Sequence, residues 1–120
     1  MSVKVLLVDD ETEFLEAMAD RLMIRGMTVS TAESVYDALQ QVETKSFDAV
    51  IMDFMMPDMD GISALKALKK IKPALHVFLL TGYATVEKRD EAIKCGADAL
   101  FDKPANIDLL TKIIQRVYSQ

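Results

Sequence analysis

Short runs of consecutive apolar residues alternate along this chain with longer stretches in which apolar positions recur every three or four residues. The runs occupy residues 3–8, 27–31, 48–52, 75–80 and 98–101. Their alternation with helix-length segments is the signature of a parallel sheet with crossover helices. Residues 12–25 place Phe14, Leu15, Met18 and Leu22 on one face, and Gly26 follows as a stop that tolerates positive φ. Residues 34–44 repeat the pattern with Val35, Ala38, Leu39 and Val42, and residues 62–71 with Ile62, Leu65, Leu68 and Ile71. Ser34 is placed to cap the former and Pro73 to break the latter. The last segment, 106–118, turns Ile107, Leu110, Ile113, Ile114 and Val117 inward behind Asn106 as a cap. Residues 85–94 differ, with only Val86, Ala92 and Ile93 to bury, so this helix is expected to be loosely held and cheap to move. The pattern predicts an α/β fold of five strands and five helices.

Composition narrows the class. A chain of 120 residues fits one domain, residues 1–120, with no linker, repeat or low-complexity stretch to divide it. The longest apolar runs fall far short of the roughly 20 residues a membrane span needs, so no membrane insertion is expected. Asp9 and Asp10 directly follow the first apolar run, where a secretory signal would continue apolar, and a cytoplasmic protein is expected. The single cysteine, Cys95, forms no internal disulfide and has no ligand partner at zinc spacing. A net charge of −5 argues against direct nucleic-acid binding by this domain, though not against a DNA-binding partner or fused domain.

In an open parallel sheet, ligands bind beyond the carboxyl ends of the strands. There the first run ends in Asp9-Asp10, the third in Asp53, the fourth in Thr81-Gly82, and the fifth leads into Lys103-Pro104. Three crowded carboxylates repel unless a cation joins them, and Mg²⁺ is a hard ion suited to one or two carboxylates plus a phosphate oxygen. Phosphoryl transfer needs a positioned nucleophile and positive charge spread around the equatorial oxygens. Asp53 is the natural nucleophile, since carboxylates form acyl phosphates. Asp10 and Asp53 would hold the metal, Asp9 would assist through a metal-bound water, and Lys103 and Thr81 would each serve a phosphoryl oxygen. Singly, these residues have plainer readings. Asp9 and Asp10 could cap the following helix, the segment from Asp53 to Gly61 could be turn chemistry, and Lys103 a solvated loop lysine.

Taken in order, Val8-Asp9-Asp10, the block Asp53-Phe54-Met55-Met56-Pro57-Asp58-Met59-Asp60-Gly61, Leu80-Thr81-Gly82, Gly96-Ala97 and Lys103-Pro104 resemble the receiver domain of two-component response regulators. The resemblance spans the whole chain. It implies a flavodoxin-like, doubly wound sheet of order 2-1-3-4-5. It also implies phosphotransfer to Asp53 from the phosphohistidine of a sensor histidine kinase or phosphotransfer domain, with the main-chain carbonyl of Met55 as a further Mg²⁺ ligand. In such domains the threonine turns toward the phosphoryl group and an aromatic three residues before the lysine turns inward behind it. That position here is Leu100. Phe101 should face the opposite side by strand alternation, and Tyr83 is the aromatic nearest Thr81 in sequence. Gly82 and Pro104 shape the turns. The resulting expectation is an output surface over residues 85–95, 98–102 and 106–118, which a downstream effector or a second copy would engage.

Two enzyme-like or ligand-binding alternatives share parts of this pattern. A haloacid-dehalogenase-type phosphatase places a second Asp two residues after its nucleophile, where this chain has Met55. A flavin module would want a phosphate loop after the first strand, where Asp9-Asp10-Glu11 repels anions. A scaffold that never carries phosphate would not need the full set of acids, Thr and Lys.

Overall fold

The computed structural model describes residues 3–82, 84–103 and 106–118. The elements are β1 (Lys4–Val8), α1 (Thr12–Ile24), β2 (Thr28–Ala32), α2 (Val35–Thr44), β3 (Ala49–Asp53), α3 (Gly61–Ile71), β4 (His76–Thr81), α4 (Val86–Lys94), β5 (Ala99–Asp102) and α5 (Ile107–Tyr118). All pairings are parallel and the strand order is β2-β1-β3-β4-β5.

Local chemistry explains where the helices start. The side chains of Ser34, Asp60, Thr85 and Asn106 accept from the backbone N–H of Asp37, Ser63, Lys88 and Leu109, so each stands just before its helix. α1 is the exception, because its cap residue Glu11 makes no side-chain cap bond. Asp9 and Asp10 therefore do not cap it, and the Asp9 carboxylate instead accepts the Glu11 N–H at 2.9 Å. At the other end of α1, Gly26 has φ of +90°, a backbone state that an L side chain rarely adopts.

β2, β3, β4 and β5 run one residue further than their apolar stretches suggest, whereas β1 ends with its stretch at Val8. Asp53, Thr81 and Asp102 still belong to the ladder, with Asp53 opposite Leu80 and Thr81 opposite Asp102. Hydrophobicity stops before hydrogen bonding does, which brings the functional side chains onto the rigid ends of strands.

Alternation along the strands divides the core in two. Val5, Leu7, Ile51, Phe78 and Leu80 pack with Leu15, Met18 and Leu22 of α1 and with Leu110 and Ile114 of α5. Leu6, Val8, Val50, Met52, Val77 and Leu79 face the other way, onto Val35, Ala38 and Val42 of α2, Ile62, Leu65 and Leu68 of α3, and Ala92 of α4. Phe101 joins the first layer, its ring centroid 6.4 Å from that of Phe78, and Leu100 joins the second. The expected opposition of these two side chains is observed. α4 buries only Ala92, leaving Val86 70% and Ile93 50% exposed, whereas α3 buries five residues. Among the described residues, no helix is long and apolar enough to cross a membrane.

Candidate functional site

Crossover topology brings the exits of β1, β3, β4 and β5 to one rim. Asp9 follows β1 and is fixed by its backbone N–H to the Ala32 carbonyl at the end of β2. Asp53 ends β3, Thr81 ends β4, and Lys103 follows β5 with its own N–H donated to the Thr81 carbonyl at 2.9 Å. Asp9, Asp53 and Thr81 are buried, while Asp10 is exposed. Carboxylate oxygens of Asp9, Asp10 and Asp53 lie within 4.8 Å of one another. An open cavity of about 580 Å³ gives access to them, lined by Asp10, Glu11, Asp53, Met55, Gly82 and Lys103.

The Lys103 ammonium sits among the acids. Its Nζ donates to Asp9 Oδ2 at 2.8 Å, to Asp53 Oδ2 at 3.1 Å and to Glu11 Oε1 at 3.2 Å, and it lies 4.4 Å from the centroid of the Phe14 ring. Burial opposes the charged form of Lys103, but the hydrogen bonds and charges of Asp9 and Asp53 outweigh it and hold the ammonium well above the ordinary lysine range. For Asp53 the balance goes the other way. Burial pushes its carboxyl up and the neighbouring Asp9 charge adds to that, against the pull of the Met55 N–H at 3.0 Å and of Lys103; the net direction is upward. Four carboxylates against one ammonium leave the rim strongly anionic. The oxygen-only donor set, partly buried and partly open, fits a hard divalent cation.

The loop from Phe54 to Asp60 is held on three sides. Met55 and Asp60 form an isolated antiparallel bridge, and both Asp58 carboxylate oxygens accept from the first turn of α2, Val35 N at 3.2 Å and Tyr36 N at 3.1 Å. Gly61 lies under Phe54, where an added Cβ would fall within 2.6 Å of the Phe54 carbonyl oxygen and against its ring.

Five residues expected at the site, Asp9, Asp10, Asp53, Thr81 and Lys103, converge on the rim, and Met55 and Gly82 line its cavity. Tyr83 and Pro104 lie outside the described residues. Leu100 and Phe101 lie on β5, packed into the two core layers described above. Sequence reasoning did not find Glu11 and Phe14 as partners of Lys103, or Asp58 as a second cap on α2. Glu11 adjoins the acidic pair and had a local signal. Phe14 read simply as core.

A doubly wound sheet with an acid cluster and a lysine at its carboxyl rim marks the class of signalling domain that the sequence resembles. Residues 5–115 match the family described as the response regulator receiver domain, and the chain belongs to that family. Its function is accordingly that of a receiver in phosphorylation-dependent two-component signalling, which is not a conventional enzyme family. It is 36% identical over 114 residues to the transcriptional regulatory protein ZraR of Salmonella typhimurium, covering 95% of this chain and 26% of that protein. The chain thus spans about a quarter of the length of that relative. Its fold superimposes on the receiver domain of the Francisella response regulator 1452 with a TM-score of 0.91, at 30% identity and 98% coverage of both chains. A response regulator from Burkholderia pseudomallei, whose structure contains a phosphorylated aspartic acid and a calcium ion, gives 0.86 at 27% identity, covering 98% of this chain and 72% of that one.

Proposed function

We propose that the chain acts over residues 1–120 as one receiver unit in which Asp53 accepts a phosphoryl group. The observation that carries this reading is the single ammonium of Lys103 held between Asp9 and Asp53 beside a third carboxylate, all opening on one cavity. An Asp53 carboxylate oxygen attacks phosphorus, a P–O bond forms as the bond to the donor nitrogen of a phosphohistidine breaks, and the freed imidazole leaves with the donor's electron pair. Lys103 is close enough to Asp53 to serve an oxygen of the transferred group, and the Thr81 hydroxyl serves another from the end of the adjacent strand. Asp10, Asp53 and the Met55 carbonyl would hold Mg²⁺, with Asp9 acting through a bound water. When bound, the ion supplies the positive charge that lets the anionic donor and carboxylate approach. The calcium ion and phosphorylated aspartic acid of the Burkholderia relative support this assignment.

The donor is a sensor histidine kinase or phosphotransfer domain in the cytoplasm, and the chain's own chemistry is confined to gaining and losing the phosphoryl group. Weak burial of α4 supports residues 85–118 as the surface read by a downstream effector or a second copy, without direct contact to nucleic acid. Incubation with acetyl phosphate and Mg²⁺ should add one phosphoryl group to the intact mass. The addition should vanish in Asp53→Ala and when the metal is chelated. Persistence of the label in Asp53→Ala refutes the assignment.

A further inference from the structure

The ammonium of Lys103 has three protons, and in the resting protein all three are taken by Asp9, Asp53 and Glu11. A phosphoryl group on Asp53 turns its carboxylate into an uncharged acyl group, so the proton that Asp53 accepts must pass to the new anionic oxygens. Glu11 is a second partner able to let go, since its side chain is 67% exposed and returns to water, whereas that of Asp9 is 3% exposed. During that exchange the hydrogen bonds cannot fix the position of Nζ, because they are being rearranged. One contact is indifferent to where the protons point. The Phe14 ring face lies 4.4 Å from Nζ, on a helix anchored in the core by Leu15, Met18 and Leu22, and the side chain of Lys103 is only 16% exposed. A cation over an aromatic face is attracted by the ring quadrupole irrespective of rotation about the Cε–Nζ bond.

We propose that Phe14 is a positioning residue for Lys103, holding the ammonium at the Asp9/Asp53 cluster while its hydrogen bonds change partners. This rests on the assignment of Asp53 and Lys103 above. It gives the aromatic residue of the first helix a part in phosphoryl transfer without contact to the reacting atoms. Phe14 also borders the α1 and α5 core layer, so a loss of rate on substitution would not by itself separate positioning from packing.

The test therefore pairs a rate with a direct view of the ammonium. Phe14→Leu keeps an apolar side chain and removes the ring, Phe14→Tyr restores the ring, and para-fluorophenylalanine at this position preserves the shape while draining the negative face. In metal-free protein labelled with ¹⁵N-lysine, the Lys103 ammonium should give a slowly exchanging resonance in the wild type and Phe14→Tyr, and lose it in Phe14→Leu. The rate of labelling by acetyl phosphate with Mg²⁺ should fall about three- to tenfold in Phe14→Leu, recover in Phe14→Tyr, and fall by a smaller factor with the fluorinated ring. An unchanged resonance or an unchanged rate in Phe14→Leu overturns the proposal, as does failure of Phe14→Tyr to restore both. Failure of the Asp53 assignment would look different, since the label would then be absent from the wild type or persist in Asp53→Ala while the ammonium resonance still reported on Phe14.

Discussion

At the scale of single residues, the site spends stability to be reactive. The upward shift of Asp53 means that its ionised form is less welcome in the folded chain than in the unfolded one, with burial as the main cause. The sign follows directly: a carboxyl raised on folding favours the folded state below its unfolded pKa, and that benefit is lost as pH rises through the folded value. Metal-free Asp53→Asn should therefore melt above the wild type at pH 7, with the gap closing as the pH is lowered through the raised carboxyl range. Mg²⁺ should reverse the order by stabilising the wild type more than the variant, by about 2.7 kcal/mol at a hundredfold excess over its Kd. Thermal melts in chelator and in Mg²⁺ at two pH values decide this. Asp9, Asp10, Asp53, Thr81 and Lys103 were legible in sequence because each follows an apolar run that announces a strand exit. The company kept by Lys103 was not, because its contact with Glu11 spans 92 residues and depends on side-chain direction, which periodicity does not report.

Elements were legible to within a residue at nearly every end, and the misses share one cause. Apolarity marks the part of a strand that is buried, while the ladder continues into Asp53, Thr81 and Asp102, whose side chains serve another purpose. The loop between β3 and α3 was less readable. Its turn-forming residues also make tertiary contacts, with Asp58 capping α2 and Gly61 packed beneath Phe54. Gly61→Ala should cost about 1–3 kcal/mol by overpacking, because the new methyl meets backbone as well as ring. A lower denaturant midpoint at unchanged m checks it, and an unaffected midpoint would mean that the loop yields freely. Asp58→Ala should cost about 1 kcal/mol through the lost cap on α2, visible in the same titration.

At the scale of the whole molecule, a two-layer core carries α4 as a lightly buried element. α4 buries a single alanine, so its displacement requires little of the coupling free energy of about 1–3 kcal/mol typical of such switches. Phosphorylated and unphosphorylated protein should differ in amide-exchange protection over residues 81–95 while β1 and β3 remain equally protected. Identical protection in both states would remove α4 from the output. The hydrogen bond from the Lys103 amide to the Thr81 carbonyl then has a wider consequence. It joins the two strand exits proposed to attend the phosphoryl group into one grip, at the end of the sheet from which α4 departs. Thermodynamic reciprocity requires that a partner preferring the phosphorylated arrangement by some factor makes phosphate retention more favourable by that same factor. A target that binds the phosphorylated arrangement more tightly would raise the equilibrium share of phosphorylated chain, so that this share would follow the supply of the target as well as the activity of the donor.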